Sequence, residues 1–257
     1  DTSSVLTLSN TNTYTGVTTI NAGTISVGTI GNGGAAGNLG QATNASTNIV
    51  LGGGTLKYTG STATSDRAFT ITAGTTGTID VPTGVTLTLA GATGTTTTGA
   101  LTKTNSGTLN LSGVNTYTGT TTISAGTLAI TGSGSLNSGS YAGSIVDNAT
   151  FIYSSSATQT LSGVISGTGA LTKDTDTSSV LTLSNASNSY SGITTISAGT
   201  ISISADANLG TAPGSSVATQ LTLNGGNLRA TATFSLATNR GITLGSGGGG
   251  IDVNSGF

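Results

Sequence analysis

The chain contains no cysteine, methionine, tryptophan or histidine, and all of its acidic residues are aspartate. Without cysteine there is no disulfide and no thiolate metal site, and thiols say nothing about the redox compartment. Without histidine or cysteine a serine nucleophile lacks its usual base. Only 5% of the 257 residues are charged, and six Lys and Arg against eight Asp leave a net charge of −2. That balance offers no basic field for a phosphate backbone and no polybasic patch for a lipid surface, so nucleic acid is not an expected partner. No apolar run approaches the roughly 20 residues that span a bilayer, and no basic start followed by an apolar stretch is visible. The missing methionine, with ends at Asp1 and Phe257 that fall in mid-repeat, reads as a piece processed or excerpted from a longer chain.

What is abundant is small and polar: 42 Gly and 56 Thr, with a mean hydropathy of +0.17. Disordered chains combine few apolar groups with much charge, and this composition is the reverse, so the chain is expected to fold.

The dominant feature is repetition. "LTLSNTNTYTGVTTINAGTISV" at 6–27 returns as "LNLSGVNTYTGTTTISAGTLAI" at 109–130 and, with one extra residue before Tyr190, as "LTLSNASNSYSGITTISAGTISI" at 181–203. "DTSSVLTLSN" occurs identically at 1–10 and 176–185, and "GALTK" at 99–103 and 169–173. "NLG" recurs at 38–40 and 208–210, "GGGTLKY" at 52–58 is echoed by "NGGNLRA" at 224–230, and "GTIDVPTGV" at 77–85 by "GGIDVNSGF" at 249–257. The core tyrosines Tyr14, Tyr117 and Tyr190 are 103 and then 73 residues apart, so the array is irregular.

Within each unit apolar residues alternate with Thr or Ser, as at Leu6 and Leu8, Leu87 and Leu89, or Leu109 and Leu111. Period two over four to six residues marks half-buried strands, β-branched Thr suits their exposed positions, and Gly, Asn and Ser punctuate them at turns. Pro82 and Pro213 sit in such turn stretches, residues 31–46 and 245–250 read as loops or corners, and no segment reads as a helix. Repeats that cannot each bury an apolar side must stack, which predicts an all-β architecture, a β-solenoid built from irregular repeats and continuous over 1–257. Coils of roughly 20–25 residues spaced about 4.8 Å apart would make a rod about 50–60 Å long. In it Ile20, Ile123 and Ile196 belong to the core, and Gly16, Gly119 and Gly192, with Gly23, Gly126 and Gly199, permit positive φ or close backbone approach. Tyr14, Tyr117 and Tyr190 are expected to lie over a corner with wet hydroxyls.

The core phrases, together with "LSGVISGTGALTK" at 161–173, resemble the β-strand repeat of autotransporter passenger domains and related giant surface proteins of Gram-negative bacteria. The resemblance implies a right-handed parallel β-helix, export to the cell surface, and a role in adhesion, aggregation or surface architecture. It also implies a membrane barrel at the C-terminus of a full precursor.

Chemistry is sparse. Asp80 and Asp252 share one repeat position and Asp1 and Asp176 another, as structural residues do, whereas a catalytic pair would be unique. Asp174 and Asp176 beside Lys173 read as a solvated turn, since a hard cation wants six or more oxygens. Lys57, Arg67, Lys103, Arg229 and Arg240, with Asp66, are expected at the surface, where charge discourages edge pairing. "GSGGGG" lacks the residues of a phosphate loop. The reading is therefore a non-enzymatic extracellular protein without cofactors or metal: a stalk, adhesin shaft or filament segment whose partner is itself, through continuing coils or head-to-tail copies. The competing reading is a module that binds glycans of a host or neighbouring cell, or ice, through outward rows of Thr, Ser, Asn and Tyr.

Overall fold

Alternating Leu and Thr gives each short segment one apolar and one polar face, and the apolar face is buried only against other such segments. In the computed structural model, which describes residues 1–94, 97–175 and 177–255, the chain winds into a parallel β-solenoid of about 11 turns. Helix among these residues is limited to the 3₁₀ turns Ser46–Asn48, Asn137–Gly139 and Asp206–Leu209.

Each coil visits three sides in a fixed order. The first face is an 8-stranded sheet running from Val5–Leu8 to Ile165–Ser166, and the second a 9-stranded sheet from Ala63–Ser65 to Arg240–Leu244. Along the third side three shorter sheets follow one another, of 3, 2 and 6 strands. Inward side chains of successive coils stack on like neighbours: Leu87, Leu109, Leu128, Phe151 and Leu171 form consecutive buried rungs on the second face. The adjacent Thr86, Thr108, Thr127 and Thr150 form a matching outward ladder.

The recurring phrase is one coil. Its first strand pairs with its own last strand, placing Leu6 opposite Ile25, Leu109 opposite Leu128 and Leu181 opposite Ile201. The three copies begin on different sides. The first starts on the first face at Val5–Leu8, the second on the second face at Thr108–Leu111, and the third on the third side at Val180–Leu183. Spacings of 103 and 73 residues thus correspond to about four and a third and three and a third coils, and each repeat advances the phrase by one side.

Residues 28–48 form a long excursion between the strands Thr24–Val27 and Ile49–Leu51, and it is tied down from the following coil. Asp66 accepts the Gly33 N–H at 2.7 Å, and its own N–H donates to Asn32 Oδ1 at 3.1 Å.

Replacing Leu109 by Ala is expected to cost about 3 kcal/mol. Because each coil contacts only its neighbours, the loss should stay local. Native-state hydrogen exchange should show faster opening around 86–132 and unchanged protection at 217–244.

Candidate functional site: the recurring coil corner

The corner that opens each phrase is built on a tyrosine and the threonine four residues later. Tyr14, Tyr117 and Tyr190 pair their hydroxyls with Thr18, Thr121 and Thr194 at 2.8, 3.0 and 2.9 Å. The expectation of wet hydroxyls is overturned for two of them: Tyr117 and Tyr190 are 2% and 1% exposed, because the threonine partner lets the phenol enter the core without losing a hydrogen bond. Tyr14, in the first coil of the segment, remains 39% exposed. Tyr117 also meets Tyr141 edge-on, with ring centroids 5.8 Å apart, and Thr121 pairs with both hydroxyls. The Tyr141 hydroxyl donates onward to the Gly119 carbonyl.

The phrase glycines serve two purposes. Gly23, Gly126 and Gly199 take φ of 68°, 71° and 67°, which side chains disfavour. At Gly119 and Gly192 a Cβ would overlap the carbonyl oxygens of Gly99 and Gly169 in the coil beneath. At Gly16 the expectation fails: its φ is not positive and, in the first coil, a Cβ there would meet nothing. Ile20, Ile123 and Ile196 are buried.

A second device lies two residues before each tyrosine. Asn12, Asn115 and Asn188 donate their side-chain amides to the carbonyls of Asn38, Ser135 and Asn208 in the next coil, at 3.0, 3.3 and 2.8 Å. The following Leu39, Leu136 and Leu209 plug the core. Asn38 and Asn208 also fold their own corners, each side-chain oxygen accepting two successive backbone N–H groups. In the first copy Asn38 Nδ2 donates to Asn10. The third copy carries one extra residue in the stretch after Asn185, and there the buried Asn208 Nδ2 meets no protein acceptor.

The charged residues correct the sequence reading most sharply. Lys57 and Arg229 do face outward, opposite Asp80 and Asp252 of the next coil, and Arg229 pairs with Asp252 at 2.7 Å. Arg67, Lys103 and Arg240, by contrast, are buried, as is Lys173. The physical reason is the supply of unpaired carbonyls at the corners. Arg67 donates to the carbonyls of Ile30, Gly40 and Ala42. Arg240 donates to those of Leu209 and Gly210 and pairs with Asp206 at 2.8 Å. In the middle unit neutral Gln159 holds both the N–H and the carbonyl of Leu136. Lys103 Nζ caps the carbonyls of Thr104, Asn105 and Ala125, and Lys173 those of Asp174 and Thr175, around turns in which Asn105 and Thr175 have φ of 63° and 58°. The Asp174 turn is therefore organised by a buried lysine; Asp176 lies outside the described residues. Among the described residues no group of three or more acids could hold a metal ion.

Burial sets the ionisation of these groups. It lowers Lys103 to about 8 against the attraction of Asp80. It raises Tyr190 to about 12, against its bond to Thr194 and the nearby Arg240, and raises Tyr117 and Tyr141 as well.

Tyr190→Phe should cost about 1–2 kcal/mol by stranding the buried Thr194 hydroxyl, while Tyr14→Phe should change stability by less than about 0.5 kcal/mol; denaturant melts compare the two. The pH profile follows from sign. Lys103 titrates lower in the fold than in the open chain, so stability rises from pH 8 toward ~10.5. The tyrosines titrate higher in the fold, so their contribution is complete below about pH 10 and is lost as pH climbs through 12. Between pH 8 and 12, thermal melts should therefore rise toward about pH 10 and fall steeply above it.

Comparison with known proteins agrees with this geometry. The pattern of the passenger-associated-transport-repeat matches residues 3–27, 101–130 and 178–203. Over 280 aligned residues the chain is 38% identical to the adhesin BmaC autotransporter of Brucella suis biovar 1 (strain 1330), covering 96% of this chain and 8% of that protein. The chain thus spans a small part of that relative's length, and no solved structure matches it significantly. The three phrase coils are passenger-associated transport repeats, and the chain belongs to that repeat family of autotransporter passengers.

Proposed function

We propose that this chain is a shaft segment of a bacterial surface adhesin, one continuous solenoid over 1–257 that sets reach and durability and performs no catalysis. The carrying observation is that the repeat's distinctive residues are consumed by the fold. Tyr117, Tyr190, Asn115, Asn188 and the buried cations face inward or into the adjacent coil, so the repeated chemistry makes a rod rather than a cleft. Similarity to an autotransporter adhesin supports an extracellular place at the cell surface and a contribution to adhesion. The partner that best fits the strand edges at each end is another coil of the same kind, from continuing chain or a second copy. Val5 and Leu6 at one end, and Ile251 and Val253 at the other, are exposed.

A second reading, binding of a glycan or ice, draws on one observation. Thr24, Thr55, Thr78, Thr102 and Thr122 form an outward ladder with one rung per coil on the first face. The neighbouring row carries Lys57 and Asp80, and the ladder ends at Val146, which favours the shaft.

The test is an internal deletion. Removing 118–190 joins Tyr117 to Ser191 at equivalent phrase positions and should give a folded rod shorter by about 16 Å at ~4.8 Å per coil. Displayed on cells within its natural polypeptide, a shaft keeps its adhesion when shortened. Loss of binding by a folded deletion protein, together with binding of the same cells by purified residues 1–257, would instead assign ligand contact to this segment.

A further inference from the structure

Asp147 ends the first-face strand Ile145–Asp147 and points inward, in the column that Lys103 and Ile123 occupy in the two preceding coils. It is 1% exposed, and its Oδ1 accepts the Ala149 N–H at 3.1 Å. The coil above closes over it with Gly169, where a Cβ would overlap the carboxylate. Neither ion pair among the described residues includes it. The nearby titratable groups are engaged elsewhere. Lys103 caps its own turn, Tyr141 is held by Thr121 and the Gly119 carbonyl, and Tyr190 is held by Thr194. Arg240, beyond Tyr190, is taken by Asp206 and two carbonyls.

A carboxylate walled into a narrow apolar core without a cation is unfavourable when ionised and compatible when neutral. We propose that Asp147 is a proton-operated fastener: protonation tightens the coils around it, and ionisation at neutral pH loosens them. The effect reaches the third phrase, whose corner hangs on this region through Tyr190 N–H to Ile165 and Ser191 N–H to Gly167.

Burial raises the Asp147 carboxyl to about 6, with the Ala149 and Phe151 N–H groups opposing. The folded value lies above the unfolded one, so the stabilising contribution is complete below pH 3.8 and is lost as pH rises through 6. The chain has no histidine to titrate in the same window. Between pH 7 and pH 5 the local opening constant should fall about tenfold.

The experiment is native-state hydrogen exchange at pH 5, 6 and 7, corrected for intrinsic rates, on the wild type and Asp147→Asn, which keeps an oxygen for the Ala149 N–H. The proposal expects about tenfold greater protection of 145–173 and 188–196 at pH 5 in the wild type, and no such change in the variant. An equal pH response in both proteins, or none in the wild type, overturns it. A carboxyl carbon titration of wild-type Asp147 provides the second readout: a midpoint near 6 supports the proposal, and one near about 4 sinks it even where the variant fails to fold.

Discussion

The constraint on which this rod depends is the satisfaction of backbone polar groups at its corners. Strands between corners hydrogen-bond to the coils above and below, but every coil must also turn, and turning leaves N–H and C=O groups without a ladder partner. The chain therefore supplies donors from side chains: the Asn of each phrase, Gln159, and four of its six cations. Such charges are costly to desolvate, yet removing one strands the carbonyls it serves, so they are retained once the corner is built around them.

The same accounting connects the tyrosines to the fold. A phenol buries a large apolar ring but brings a hydroxyl that needs a partner. Placing Thr four residues later, on the adjoining strand, meets that need inside one coil and lets the ring seal the corner. At Tyr141 a further phenol joins the same threonine, so two rings share one hydroxyl anchor.

Much of this was legible in the sequence. Period-two alternation marked the strands, recurrence marked stacking, and inward Leu and Ile at 20, 123 and 196 followed from the pattern. The buried cations were misread because a lone Lys or Arg is ordinarily solvated. The missed signal was recurrence itself: Lys103 and Lys173 both end "GALTK", and Arg67 and Arg240 each follow an "NLG" by about one coil. Recurrence marks such a charge as part of the fold without fixing its side, since Lys57 and Arg229 also share a repeat position and face outward opposite Asp80 and Asp252. Likewise Thr18, Thr121 and Thr194 stand four residues after their tyrosines in every copy. The side on which each phrase falls was not legible, because coil length varies with excursions such as 28–48, and only pairing reveals how many residues one turn consumes.

The advance by one side per repeat gives copy number a meaning beyond length. Adding or losing a single unit of this kind turns everything distal to it by a third of a revolution about the long axis, while three units restore the original bearing. In an array assembled from such units, the direction a terminal feature faces is set by the number of repeats beneath it counted modulo three, so two variants that differ by one unit present the same surface along bearings a third of a turn apart.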